Sequence, residues 1–526
     1  MARDAAGGEF SSATKTGVIT NRHLAELSGI VASQANPGVL WVHNDLARDQ
    51  VHAVGTNGQL LSSWSLSNVV SDLEDISIGP GPLRQVQYLY IGDIGDNPSV
   101  RPFIRVYRVP EPAVYLPGSV TLNAAVLTRK FPAVEQLILQ YPDGPHNAEE
   151  IMIDPLRGEL LIVTKENTRA RFYVASREQL NQGGNILLAF AGEIAFPIVS
   201  AGDIRFDGLE IILRQEDFAR VWRRNPNESM AQTMKRAPGE APVVGTPTEP
   251  NGEGITFARD GAGYFTVSEG NNPPLYYFAR TNGPSPLAPR LLLSSEALWH
   301  FADDGNAPDV NWKLAGFDDS SWKLGPGQFG YGEGDEQTIL EFGAVNAKRI
   351  TTFFRTALML TEVPTNATLR LSLVFDDGIV VYINGLEVLR RNLAIGASAQ
   401  DLAFARADEL ENIWQHFIIP NELKKGTNLI AVEVHRADRT EEDLSFDLRL
   451  WVDETSGFKR AVQKVSEREW LAELYVPPRE RAFLEESSNL LDWRSLTNLI
   501  FDAGRNSFRI SNEGAARFYR LRQTAP

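Results

Sequence analysis

Three glutamates, Glu74, Glu149 and Glu253, hold one position in a short recurring segment, two residues before an isoleucine that every copy shares. The copies are Leu27-Ser28-Gly29-Ile30, Leu73-Glu74-Asp75-Ile76, Ala148-Glu149-Glu150-Ile151, Ala201-Gly202-Asp203-Ile204 and Gly252-Glu253-Gly254-Ile255. A second hydrophobic run follows each copy, and four of these runs end near Asp45, Asp93, Lys165 or Glu269. If the two runs are antiparallel strands, the start of the first lies beside the end of the second. All these residues, with His43, are then expected at one mouth. The set is rich in oxygen and free of sulfur, a donor chemistry suited to Ca²⁺ or Mg²⁺ rather than zinc or copper. Glu74, Glu149, Glu253, Asp45, Asp93 and Glu269 are therefore the candidate metal ligands, and His43 and Lys165 the candidate ligand-binding residues.

Like charges in one concavity repel more strongly as water leaves it. Such a ring requires a cation, a partner such as Lys165, or protonation. Turn capping and pairing with Lys165, Arg169 or Arg171 is the competing use of the same carboxylates. Acid–base catalysis needs a pair with separated pKa values; spacing does not supply that, and no catalytic residue is assigned. The chain has no P-loop, dinucleotide fingerprint or G-x-S-x-G elbow, so no organic cofactor is expected. Gly92-Asp93-Ile94-Gly95-Asp96-Asn97 lacks the ligand spacing of a twelve-residue calcium loop and reads as a turn.

The elements that must position these residues are strands. Short Val/Ile/Leu/Tyr/Phe runs alternate with Gly, Pro, Asn and Asp turns, and the class is all-β. Repeated strand sets of this kind mark a β-propeller over residues 17–292, after an N-terminal extension of residues 1–16. Five blades are visible, and a sixth has room between residues 73 and 148, where Leu127-Thr128-Arg129-Lys130-Phe131 and Leu137-Ile138-Leu139-Gln140-Tyr141 add strand material. The chain has 526 residues, a formal charge of −16 and no Cys. That charge has the wrong sign for neutralising phosphates, so nucleic acid is not an expected partner. Thiol nucleophiles, disulfides and thiolate-held metals are excluded. No run of 18 apolar residues exists, so no membrane span is expected. Residues 1–10 lack the order of a signal peptide; the domains favour an extracellular protein whose leader is absent from this chain.

A Pro-rich stretch, residues 283–290, reads as a linker. Beyond it, residues 293–455 show period-2 alternation and the hairpin signal Asn384-Gly385, a two-sheet sandwich. The run Asp376-Asp377-Gly378-Ile379-Val380-Val381-Tyr382-Ile383-Asn384-Gly385, with Asp318-Asp319-Ser320-Ser321-Trp322 before it and Leu444-Ser445-Phe446-Asp447 after it, resembles the galactose-binding-like jelly-roll modules of secreted bacterial proteins. The resemblance implies a jelly roll that contacts carbohydrate or a surface. Asp376 and Asp377 are candidate ligand-binding residues, expected at a strand end facing a surface loop because two adjacent carboxylates do not suit an apolar core. The first domain, through Leu73-Glu74-Asp75-Ile76, Gly92-Asp93-Ile94-Gly95-Asp96-Asn97, Val106-Tyr107-Arg108-Val109-Pro110, Gly252-Glu253-Gly254-Ile255 and Ser268-Glu269-Gly270, resembles uncharacterised bacterial propellers distantly akin to phytase-like and lactonase-like ones. Residues 461–526 read as a small C-terminal β-module opened by a short helix near residues 466–472.

These readings favour a secreted multidomain binding or scaffold protein that contacts glycans, a cell surface or other copies of itself. The alternative is a divalent-metal-dependent hydrolase of a phosphoester or lactone at the propeller mouth.

Overall fold

The computed structural model describes residues 9–523, apart from residues 21–23, 46–48, 69, 116–127, 226–227, 282–288, 365–367, 408–409, 454–461, 467–468, 477–481, 488–493, 502–503 and 512–517, and describes side chains as far as residue 452. The protein is all-β. It divides into two compact units, one of residues 1–286 with 458–526 and one of residues 287–457. The linker expected at residues 283–290 falls largely outside the described residues.

Residues 14–279 of the first unit form five mainly antiparallel sheets, and each contains one copy of the recurring segment. The first strands are Leu27–Ala32, Leu73–Pro80, Ala148–Ile153, Ala201–Ile204 and Gly254–Phe257. Each lies against the next, and the fifth lies against the first. The ring is completed by its own first and last segments, because Thr14–Val18 pairs with Pro274–Ala279 as the outer strand of the fifth sheet. This sheet order and closed neighbour ring are what a five-bladed propeller requires.

Among the described residues, the long interval forms no sixth sheet. Thr128–Lys130 adds in parallel to Leu60–Ser65 at the edge of the first sheet, and Glu135–Gln140 is the fourth strand of the second. Both segments extend existing sheets because each finds an open edge there.

The ring is tied by side chains that reach from one first strand to the backbone of the next. Ser28 Oγ donates to Glu74 O at 2.6 Å, Asp75 Oδ2 accepts from Ile151 N at 2.9 Å, Asp203 Oδ2 accepts from Phe257 N at 2.8 Å, and Thr256 Oγ1 accepts from Ala32 N at 3.0 Å. Between neighbouring sheets lie apolar layers. Trp41, Trp64 and Leu73 fill one between the first and second sheets, and Phe172, Ile211 and Trp222 another between the third and fourth. Burial of such side chains stabilises by roughly 1.5–3 kcal/mol each, so the inter-sheet layers carry the closure and the side-chain bonds fix its register.

The second unit is a sandwich of two six-stranded sheets. One runs Thr338–Ile339, Phe329–Tyr331, Leu444–Asp453, Thr368–Phe375 and Gln415–Ile419, with Arg290–Leu293 also on Leu444–Asp453. The other runs Lys323–Pro326, Leu298–Ala302, Thr351–Leu360, Gly426–His435, Gly378–Ile383 and Leu386–Arg391. Trp299, Phe329, Phe354 and Phe446 pack between the sheets. Arg290–Leu293 shows that the sandwich starts a few residues before the expected residue 293.

Among the described residues of the tail, strands stand where a helix was expected near residues 466–472. Val462–Ser466 and Glu469–Val476 form an antiparallel hairpin, and the second of these strands pairs along its whole length with Gly504–Ser511. Eight consecutive backbone pairings outweigh the weak local preference for helix. Among the described residues, no helix is long and apolar enough to cross a membrane.

Candidate functional site

The recurring segments position the acids. In the second and third sheets the pairing between first and second strands slips at the glutamate, between Leu73 and Asp75 and between Ala148 and Glu150. These are β-bulges, which break the strict alternation of faces and re-aim a side chain. Two successive acids, Glu74-Asp75 and Glu149-Glu150, can therefore both serve the ring interior, and all four are buried. Alternation alone would have placed one of each pair on the opposite face.

Two layers result. The upper layer is the mouth. One oxygen each of Asp45, Asp72 and Glu74 lie within 4.8 Å of one another, with Asp45 and Asp72 half-buried and Glu74 buried. Lys165 Nζ donates to Glu149 Oε2 and forms an ion pair with it. Glu253 is half-buried beside Glu269, whose Oε2 accepts from Asn251 Nδ2 at 2.7 Å. Gly95 closes over Asp72 and Glu74: a Cβ there would stand 2.1 Å from Glu74 Oε1 and 2.3 Å from Asp72 Oδ2. Close approach of backbone to the two carboxylates is what requires glycine at this position.

The carboxyl groups of the mouth do not share one protonation level. Burial, then Glu149, Asp72, Asp45 and Glu253, push Glu74 up to about 10. Burial, then Glu269 and Glu149, push Glu253 up to about 8. Asp45 rises only to about 6, through partial burial and then Asp72. Asp72 and Glu149 are also raised by burial, against the opposing pull of Arg101 and Lys165 respectively. Burial and mutual repulsion thus raise Glu74 further than Asp45.

The lower layer is Asp75, Glu150 and Asp203, one residue nearer the shared isoleucine. Burial pushes Asp203 up to about 7 and raises Asp75 and Glu150 well above the carboxylate range. Asp75 and Asp203 are held by the inter-sheet bonds described above. Sequence reasoning missed this layer. Its signal was present, since an acid directly precedes the shared isoleucine in three of the five copies.

Of the residues singled out in the sequence, Glu74, Glu149, Glu253, Asp45, Glu269 and Lys165 share the mouth. Asp93 does not join them as a free ligand. It is fully buried, accepts from Arg101 Nη2 at 2.8 Å and from the backbone N–H groups of Ser71 and Asp72 at 3.2 and 3.1 Å, and has Arg105 at 3.7 Å. It holds the Gly92–Asn97 turn, and Asp96 assists by accepting from Arg101 N at 2.7 Å. Asp72, 21 residues earlier in the chain, occupies the place expected for Asp93. His43 is wholly buried, and desolvation lowers it to about 4, so it is neutral; its Nδ1 lies 3.2 Å from Asn44 O. Asp376 and Asp377 lie between two strands of the sandwich as expected, but both are buried rather than facing a surface loop.

Lys165 also lines a cleft of about 400 Å³ whose other walls include Asn97, Asn147, Asn167, His146 and Arg171. With Glu166, Ser99 and Ile198 also in the wall, the lining is mainly polar, a mixture of amide, imidazole, hydroxyl, cation and carboxylate groups. Asn147 links cleft to ring, its Oδ1 accepting from Asp96 N at 2.7 Å.

No family model matches the chain, and no curated protein matches it. Among solved structures it is similar to β-glucuronidase 2 of Bacteroides uniformis, with 15% identity, a TM-score of 0.22 and 45% of this chain against 28% of that one. It is similar to a β-glycosidase from Bacteroides vulgatus, with 14% identity, a TM-score of 0.23 and 42% against 29%. It is also similar to a nidogen/laminin complex, with 10% identity, a TM-score of 0.27 and 46% against 73%. The chain thus spans under a third of the length of the two bacterial glycosidases. The expectation of a non-catalytic scaffold, with a phosphoester or lactone hydrolase as its alternative, is corrected. The bacterial structures matched carry the names of glycoside-cleaving enzymes, a β-glucuronidase and a β-glycosidase, and are named neither as a scaffold nor as a phosphoester or lactone hydrolase.

Proposed function

We propose that the ring mouth is a carboxylate-based hydrolytic site acting on the glycosidic bond of a polyhydroxylated substrate. The observation that supports this reading is the pairing of Asp45 with Glu74, oxygens no more than 4.8 Å apart, one ionised and one neutral at pH 7. A neutral acid beside a carboxylate is the minimum equipment for glycoside cleavage. The charge of the surroundings also selects the reaction. Cleavage of an acetal passes through an oxocarbenium-like, positively charged transition state, which an ionised Asp45 stabilises. The negative charge that develops on an acyl or phosphoryl oxygen is repelled by the same groups.

In this reading Asp45 attacks the anomeric carbon while Glu74 gives its proton to the leaving oxygen. Glu74 then takes a proton from water, which displaces Asp45 and restores both groups. Oxygens no more than 4.8 Å apart stand nearer to the roughly 5–5.5 Å of retaining enzymes than to the wider gap that admits a water. The polar cleft beside Lys165 supplies partners for sugar hydroxyls. Action outside the cell goes with this reading, since polymeric glycans are met there. Proton NMR of the first-formed product tests it: retention of anomeric configuration is expected, and inversion would reassign the two carboxyls.

The same three carboxylates favour a second reading. Asp45, Asp72 and Glu74 are spaced for one Ca²⁺, whose ligands lie at 2.3–2.6 Å. The two readings part on calcium, which competes with the acid role in the first and saturates the site in the second.

A further inference from the structure

In the sandwich, one oxygen each of Asp376, Asp377 and Glu441 lie within 4.8 Å of one another, and all three residues are buried, at 2%, 1% and 4% exposure. The three come from two separate connections: the link between Thr368–Phe375 and Gly378–Ile383, and the link between Gly426–His435 and Leu444–Asp453. Asp377 is fixed by backbone donors, Oδ1 accepting from Ala407 N at 2.8 Å and Oδ2 from Ala437 N at 2.6 Å. Those bonds bring in a third connection, residues 392–414.

The other two carboxyls are oriented but not satisfied. No hydrogen-bond donor reaches Asp376 Oδ1 or either oxygen of Glu441. The nearest cation is Arg406, whose Nε lies 3.4 Å from Glu441 Oε1; Lys348 and Arg436 donate instead to the backbone carbonyl of Glu441. A buried carboxyl oxygen without a donor costs free energy comparable to a lost hydrogen bond or more, and here three converge.

We propose that Asp376, Asp377 and Glu441 form a site for a single Ca²⁺ ion that ties three connections of the sandwich together. Two oxygens on one Ca²⁺, each about 2.4 Å from it, can be no more than about 4.8 Å apart, and the three oxygens meet that limit. With no sulfur in the chain and only oxygen in the trio, the donor chemistry is that of a hard cation. The inference is independent of the chemistry at the ring mouth.

Calcium titrated calorimetrically into the full chain, stripped with chelator and carrying Asp45→Asn and Glu74→Gln to disable the mouth, tests the proposal. Saturable uptake of one ion per chain is expected, with a higher melting temperature. Glu441→Gln on that background should weaken binding at least about tenfold. If Glu441→Gln fails to fold by circular dichroism, Asp376→Asn serves as the second variant. Absence of both uptake and melting shift in the mouth-disabled chain would overturn the site. Unchanged affinity in a folded Glu441→Gln or Asp376→Asn chain would do the same.

Discussion

The mouth of the ring and the sandwich each gather three carboxyl oxygens within the same distance, yet their surroundings differ. At the mouth, Asp45 and Asp72 are half-exposed, and Lys165 joins the acids to a polar cleft. In the sandwich, all three acids are buried, and one of them is locked by two backbone N–H groups. Identical side chains thus meet different fates through access. A carboxyl that can reach a substrate and whose neighbour holds a different protonation level is equipped for proton transfer. One sealed under loops is equipped to hold an ion.

The largest effect that would sharpen this contrast is on turnover. Glu74→Gln removes the proton donor and is expected to lower kcat by about 10²–10⁴-fold, whereas Glu441→Gln leaves kcat within about twofold of the parent when calcium is absent. Steady-state rates of the two variants on one glycoside decide it, and equal losses would erase the distinction between the regions. Next in size is the pH profile. kcat/KM should rise as Asp45 ionises near pH 6 and fall as Glu74 loses its proton near pH 10. Asp45→Asn should remove the acid limb along with most of the activity. A smaller effect is expected from Lys165→Met, which strips Glu149 of its cation. Glu149 should then hold its proton to higher pH, and KM should rise about tenfold while the melting temperature moves by only a few degrees.

The smallest effect is on stability. Asp203, Glu253 and Glu441 have folded values raised to about 7, 8 and 8, so the folded chain binds more protons than the unfolded one above about pH 4. Their stabilisation is complete below that value and is lost as pH rises through 7 and 8. Melting temperature in chelator should therefore fall between pH 5 and 8, by about 2–4 °C for each kcal/mol lost. Calcium should flatten the slope at the sandwich. A melting temperature that rises over this range would contradict the neutral state assigned to the buried acids.

Much of the architecture was legible because strand runs and turn residues repeat. The five shared isoleucines mark the five first strands, and the mouth follows from antiparallel pairing of Leu73–Pro80 with Gln87–Asp93. What stayed hidden depended on events that alternation cannot express. The slips at Glu74 and Glu149 set two successive acids into the ring interior, so the layer of Asp75, Glu150 and Asp203 went unseen. Asp93 looked like Asp45 in position, but Arg101 claims it. Asp376 and Asp377 looked too polar to bury, and became buried because Ala407 and Ala437 supply donors from connections distant in sequence. Thr128–Lys130 had strand character but no partner visible nearby; its partner is Leu60–Ser65.

The most direct measurement is release of reducing ends from a panel of polysaccharides and aryl glycosides by the full chain and by its Glu74→Gln variant, each checked for an unchanged melting curve. Release by the parent chain that falls at least about 10²-fold in the variant is the expected result. No release from any member of the panel, or equal release by both chains, would contradict a carboxylate-based hydrolytic site at the ring mouth.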